Sequence, residues 1–360
     1  MSRKFNFYAG PSTLPFEVLQ ELEADFLDYR GMGLSLVETS HRSSEYDEVH
    51  SSVLQGIKSL LNIGDEFAVV LMGGGATLQF SAVPMNLMGN FGHSDYVISG
   101  TWAKKALADA KLYSNPRVVW DGSDEAFTSL PDPASIQSGS DSAYLHITSN
   151  ETINGVQWKD FPNSEAPLVA DMSSDIFSRP LPMERFGLIY AGAQKNLAPA
   201  GVTMVIIRKE LLDRAGDNIG AYLKYKTHAD KDSLYNTPPV FPIWAMSRVI
   251  KWIEGKGGLE GIQKINAEKA NLLYGVIDGT DGFYHCPVDP AVRSTMNVVF
   301  TMKNDELQAA FLKGAAERDM LGLKGHRAVG GCRASIYNAM PLEGVQALAD
   351  YMRDFAEKNA

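Results

Sequence analysis

The chain has little cysteine, no long hydrophobic run and no surplus of positive charge. Two cysteines in 360 residues, Cys286 and Cys332, stand far apart and form no CxxC pair. They cannot build a disulfide framework or a zinc knuckle, and they suit a reducing, cytoplasmic setting. No apolar stretch approaches the ~20 residues needed to cross a bilayer, so no membrane association is expected. The basic start Ser2-Arg3-Lys4 leads into no apolar segment of the kind a secretory signal carries. Lys and Arg number 33 against 43 Asp and Glu, a formal net charge of −10. That balance argues against a broad nucleic-acid-binding face. The seven histidines show no HExxH or paired spacing, so no metal site is expected.

What is present is ordinary for a globular protein: 45% hydrophobic and 21% charged residues. A single core stops growing at roughly 250–300 residues, which predicts one large and one smaller domain. The pattern places an extended arm at 1–15, packing with the small domain, a large domain at 16–256 and a small α/β domain at 257–360. Pro15 is expected to open a helix whose apolar face is Phe16, Leu19, Leu22 and Phe26. Tyr46, Val49, Val53, Ile57 and Leu61 predict a helix from about Ser44 to Leu61, stopped at Asn62-Ile63-Gly64. Seven apolar runs follow as buried strands: 67–72, 96–98, 118–120, 143–147, 168–170, 188–190 and 202–207. Most are unbroken rather than alternating, as in a mainly parallel sheet flanked by helices on both faces. The glycine cluster at 255–258 ends this block. Beyond it, helices are expected at about 259–277 and 306–318, strands at 297–301 and 333–336, and a last amphipathic helix from Leu342.

In open parallel sheets ligands bind beyond the carboxyl ends of the strands, so the residues after each run carry the chemistry. Gly73-Gly74-Gly75-Ala76-Thr77 opens a helix whose free N–H groups and dipole can receive an anion. It is no P-loop, and Leu78 breaks the dinucleotide pattern; alone it is as readily a tight turn. Trp102 can stack on a planar ring, although a packing role is the commoner one. Asp171 ends an apolar run, where a carboxylate is costly unless paired; it reads as a helix cap or as the partner of a protonated ring nitrogen. Lys195 follows about one crossover later, among small residues, where desolvation frees its amine for imine formation. Pyridoxal phosphate (PLP) requires this combination: an amine, a carboxylate, a stacking aromatic and an anion-binding helix start.

The chain resembles the phosphoserine aminotransferase family, fold-type I PLP enzymes of the class-V aminotransferase group. The likeness runs end to end, through 6–11, 38–43, 73–80, 148–155, 191–200, 235–239 and 325–338; the segments around Asn150–Gly155 and Gly330–Ser335 are the most specific. It implies Lys195 as the imine lysine, Asp171 on the pyridine nitrogen, Trp102 on the ring face and Thr152 near the phenolic oxygen. Ala76, Thr77 and Gln194 would hold the phosphate, joined by Asn236 and Thr237 from the second subunit of a homodimer with shared sites. Some family members carry arginine where Thr77 stands, so here one positive charge fewer enters the pocket. The family interconverts phosphoserine plus 2-oxoglutarate with 3-phosphohydroxypyruvate plus glutamate in serine biosynthesis, and many bacterial members also make 4-phosphohydroxythreonine for PLP synthesis. Such substrates carry two anionic groups, for which His41, Arg42, His326, Arg327 and Arg333 are the candidates, unless they are plain surface charges. A cysteine desulfurase, an alanine–glyoxylate aminotransferase and a phosphate-binding protein without an imine are the competing readings.

Overall fold

In the computed structural model, which describes residues 3–359, the chain first mixes helices with strands and then, over residues 117–208, runs through strands with no α-helix between them. It runs β1 (Phe5–Asn6), α1 (Phe16–Asp25), α2 (Ser44–Leu61), β2 (Phe67–Met72), α3 (Gly75–Leu87), β3 (Asp95–Ile98) and α4 (Thr101–Ala110). Then come β4 (Arg117–Asp121), β5 (Leu145–Thr148), β6 (Asn150–Glu151), β7 (Val156–Gln157), β8 (Leu168–Asp171), β9 (Phe186–Gly192) and β10 (Thr203–Arg208). The second half holds α5 (Tyr225–Ala229), α6 (Val240–Gly255), α7 (Gly258–Asp278), β11 (Tyr284–His285) and β12 (Asn297–Met302). It closes with α8 (Asp305–Ala316), β13 (Met320–Leu321), β14 (Cys332–Ser335) and α9 (Leu342–Asn359).

Seven strands form one sheet in the order β2-β10-β9-β8-β5-β3-β4. β10 runs antiparallel to both its neighbours, and the other pairings are parallel. Side chains alternate between the two faces of a strand. Val69 and Leu71 of β2 therefore join one core with Val53 of α2 and Trp244 of α6. Val70 and Met72 join another with Phe80 of α3 and Ala106 of α4. Both faces are covered, which is why the apolar runs are unbroken.

Three local expectations need correction. The run at 118–120 is an edge strand, paired among the described residues only with β3, and it leaves Val118 46% exposed. In α1 the core takes Val18 and Leu22, whereas Phe16, Leu19 and Phe26 remain partly open to solvent. Finally, α6 forms where periodicity predicts nothing. Ile243 to Ser247, Val249, Ile250 and Ile253 are buried, a face too broad to read as a stripe, and the polar positions Arg248, Lys251 and Glu254 come only in its C-terminal half.

A second core lies at the C-terminal end, where β11, β12 and β14 make an antiparallel sheet packed by α8 and α9. Phe7 belongs to that core, and β1 pairs in parallel with β13. The long helix α7 contributes to both cores: Leu259 and Ile262 to the first, Leu273 and Ile277 to the second. Between those positions sits Lys269, fully buried. Its ammonium donates to the carbonyls of Ile336 (2.9 Å), Tyr337 (2.7 Å) and Met340 (3.1 Å). This clamp fixes the segment after β14. From there the Tyr337 hydroxyl donates to Ala9 O (2.7 Å), and the Asn338 N–H donates to Asn196 Oδ1 (3.1 Å). Among the described residues, no helix is long and apolar enough to cross a membrane.

Replacing the Lys269 ammonium by a thioether leaves these buried carbonyls without donors. Lys269→Met is expected to lower unfolding stability by roughly 3 kcal/mol. Urea titration should show a lower midpoint with an unchanged slope; an unmoved midpoint would show that water replaces the clamp.

Candidate active site

The carboxyl ends of β2, β3, β5, β8 and β9 surround a cavity of about 450 Å³. Beyond β2 the chain turns through Gly74 (φ 95°) and Gly75 (φ 67°), left-handed conformations that glycine adopts without strain. Gly74 precedes α3 and has no side chain to cap it. The N–H groups of Ala76 and Thr77 thus start the helix without intrahelical partners, beside the cavity. A Cβ at Gly75 would meet nothing within 4 Å, so the approach to this helix start is open.

Past β3, Trp102 occupies the first turn of α4. Its indole Nε1 is buried without a partner among the described residues, and the Lys195 ammonium lies 5.9 Å from its ring centroid. Asp171 is the last residue of β8. Its Oδ1 accepts from the Ser173 N–H (2.9 Å) and the Ser173 hydroxyl (2.6 Å). Ser173 Oγ in turn accepts from the Gly192 N–H on β9 (3.1 Å), so the turn is locked to the next strand. Oδ2 takes no hydrogen bond among the described residues. Burial pushes the Asp171 carboxyl up, while the Ser173 bonds and Lys195 oppose the shift.

Lys195 follows β9, and its ammonium donates to Thr152 Oγ1 (2.7 Å). Burial lowers it to about 8; Asp171 opposes this, Arg333 adds to it and Glu151 opposes it. On the facing wall, a guanidinium nitrogen of Arg333 donates to Thr152 O (3.2 Å), and its Nε is buried without a partner among the described residues. His326 joins this wall; burial lowers it, helped by Arg333, Arg327 and Lys105.

Of the residues singled out from sequence, Lys195, Asp171, Trp102 and Thr152 meet at this cavity, together with Ala76, Thr77 and Gln194. His326 and Arg333 join them from the C-terminal part of the chain. His41, Arg42 and Arg327 are not on its wall. Asn236 and Thr237 line a separate hollow that shares Gly201 with the cavity. Sequence reading missed Ser173 and Glu151. Ser173 was discoverable, since a serine two residues after an aspartate at a strand end readily forms a side-chain-locked turn. Glu151 sat in a motif already noted, with nothing to mark its partner.

The wall fits PLP on its own chemistry. It offers a free carboxylate oxygen for a ring N–H, an amine of lowered basicity for the aldehyde and an unclaimed helix start for the phosphate. A half-buried indole beside them can cover the ring. The model of the family described as Aminotransferase class-V matches residues 4–348. The chain belongs to this family. It is 49% identical over 358 residues to a phosphoserine aminotransferase of Lysinibacillus sphaericus, covering 99% of each chain. A chloroplastic phosphoserine aminotransferase of Arabidopsis thaliana is 47% identical over 361 residues, 99% of this chain and 86% of that one. Among solved structures, a phosphoserine aminotransferase from Bacillus circulans subsp. alkalophilus has a TM-score of 0.97 at 45% identity, covering 99% of both chains. A PLP-bound phosphoserine aminotransferase from Trichomonas vaginalis has a TM-score of 0.90 at 36% identity, covering 98% of this chain and 100% of that one. The fold is therefore fold-type I, and the protein is a PLP-dependent aminotransferase.

The lowered amine gives a direct test on protein freed of cofactor. After reductive ¹³C-methylation, the lysine resonance missing from Lys195→Ala should titrate at about 8. An ordinary surface lysine titrates near 10.4, and such a value for Lys195 would contradict the burial argument.

Proposed function

We infer that the enzyme transfers the amino group between phosphoserine and 2-oxoglutarate, giving 3-phosphohydroxypyruvate and glutamate, as a step of L-serine biosynthesis. The same reading extends to 4-phosphohydroxythreonine in pyridoxine biosynthesis. The observation that carries it is the full-length likeness, at 49% and 45% identity, to proteins named phosphoserine aminotransferase. This wall supports it, because phosphoserine brings a carboxylate and a phosphate to a site that already holds the Arg333 guanidinium and the His326 imidazole. A desulfurase is disfavoured by chemistry: both cysteines are buried, and burial pushes the Cys332 thiol up to about 12. Two buried free thiols suit the reducing cytoplasm, where we place the enzyme.

When bound, PLP supplies the aldehyde that carries the amino group and the electron sink for charge left on the substrate's α-carbon. Lys195 would hold it through Nζ, Asp171 would keep its ring nitrogen protonated, and Thr152 would lie near its phenolic oxygen. Trp102 would cover the ring, with Ala76, Thr77 and Gln194 at the phosphate. In this reading the Lys195 amine takes and returns the proton at the substrate's α-carbon, a task matched to its lowered basicity. Arg333 grips the α-carboxylate as a fork. His326, Arg327, His41 and Arg42 serve the distal phosphate or carboxylate.

The pair Asn236–Thr237 belongs, in this reading, to a homodimer with shared sites, each copy reaching the phosphate of the other. Tyr235, Asn236 and Thr237 are exposed, away from this chain's own cavity wall, as segments reaching into a second copy would be. Exposed apolar residues such as Leu27 (83%) and Leu34 (50%) give that copy a surface to cover.

Borohydride treatment of the yellow holoenzyme should fix the cofactor to the peptide containing Lys195. A coupled assay should show transfer from phosphoserine, but hardly any from serine, to 2-oxoglutarate. Equal use of the two donors would reject the phosphate-binding role of the wall that carries Arg333 and His326. Subunit sharing has its own check. Asn236→Ala and Lys195→Ala are expected to be nearly inactive alone, and mixed dimers should regain one intact site. No recovery after verified exchange would place Asn236 outside the partner's site.

A further inference from the structure

Helix α4 begins at a residue that cannot cap it. Gly100 stands at the N-cap with no side chain, so the N–H groups of the second and third helical positions need an acceptor from elsewhere. They find it on the β6–β7 hairpin. The Trp102 N–H donates to Glu151 Oε2 (3.3 Å), and the Ala103 N–H donates to Glu151 Oε1 (3.1 Å). The Glu151 side chain is fully buried, and its neighbour Thr152 is the residue that takes the Lys195 hydrogen bond. A Cβ at Gly100 would stand 2.4 Å from Glu151 Cδ and 2.6 Å from its Oε2. With φ at 167° the backbone there is extended and open to any residue, so what a side chain at this position would disturb is the place of the Glu151 carboxyl and not the backbone. Two positions far apart in sequence are thus fitted to one contact.

We propose that Glu151 is a positioning residue, whose carboxyl substitutes for the missing cap of α4 and so sets the indole of Trp102 over the cavity. The functional consequence rests on the reading that Trp102 covers the cofactor ring. Glu151 touches no reacting atom; it acts through the first turn of α4. Burial pushes its carboxyl up to about 7, opposed by the Ala103 and Trp102 N–H groups. The charged groups facing it are Asp171 on β8, which raises it, and Lys195, which lowers it; the Tyr190 phenol on β9 feels its charge. Lys105 lies over the Trp102 ring at 4.6 Å. The carboxyl is neutral below about 7 and ionised above it, and a charge-assisted bond to an N–H is roughly twice as strong as a neutral one. The grip on α4 therefore tightens as pH rises through neutrality.

The test uses full-length protein labelled with 5-fluorotryptophan, with and without PLP. The chain has five tryptophans, and Trp102→Phe identifies the resonance of Trp102. In Glu151→Gln and in Gly100→Ala that resonance should move while the other four hold. Gly100→Ala displaces the carboxyl without removing it, so it carries the test should Glu151→Gln fail to fold. In the parent, the Trp102 resonance should follow a proton transition near neutrality that persists in Lys195→Ala and vanishes in Glu151→Gln. A misplaced stacking ring should weaken PLP binding about three- to tenfold and leave the KM for phosphoserine within about twofold. A Trp102 resonance at its parental position in both variants overturns the proposal, as does a transition that survives in Glu151→Gln. Failure of the parent to take up PLP would instead reject the cofactor reading, and the resonances of the cofactor-free protein would still decide the role of Glu151.

Discussion

Everything at this site follows from keeping charge at the mouth of an apolar sheet. A carboxylate and an ammonium withdrawn from water each cost several kcal/mol unless they find partners. Here Asp171 and Lys195 stand beyond adjacent parallel strands, where burial drives each toward its neutral form and the other opposes it. The hydrogen bonds are distributed around that conflict. Ser173 takes one oxygen of Asp171 and is itself held by β9; Thr152 takes the Lys195 ammonium. What remains is an open carboxylate oxygen and an amine of reduced basicity.

The sheet around this pair was largely legible because it is covered on both faces. Burial from two sides turns period-two alternation into continuous apolar runs, and the residue after each run then falls at a strand's carboxyl end. That is how Asp171, Lys195, Trp102 and the glycine turn before Ala76 could be placed together from their order alone. Two things obscured the rest. The helix α6 carries a run of five buried residues, Ile243 to Ser247, that blurs its period, whereas β4 looks like a core strand although β3 is its one neighbour among the described residues. Periodicity reports how many faces are buried; it does not report what buries them.

Long-range polar contacts were the least legible. No local pattern says that Glu151 will cap a helix that starts 50 residues earlier, or that Lys269 will gather carbonyls from beyond β14. Both side chains looked like ordinary helix or hairpin charges. Their meaning comes from burial, which converts a charge from a solvated decoration into a demand for specific partners. The same holds for Arg333, read from sequence only through family resemblance and found leaning on the carbonyl of Thr152.

The helix α7 has a mechanical consequence. It enters the first core with Leu259 and leaves the second with Ile277, so one unbroken rod about 27 Å long, at 1.5 Å per residue, is anchored at both ends. Bodies joined by a flexible loop can swing freely, but bodies riveted to one rod can move only as far as the rod bends or rolls. The wall that carries Arg333 and the wall that carries Lys195 are coupled in this way. A closing of the cavity over a substrate would therefore have to bend or roll α7.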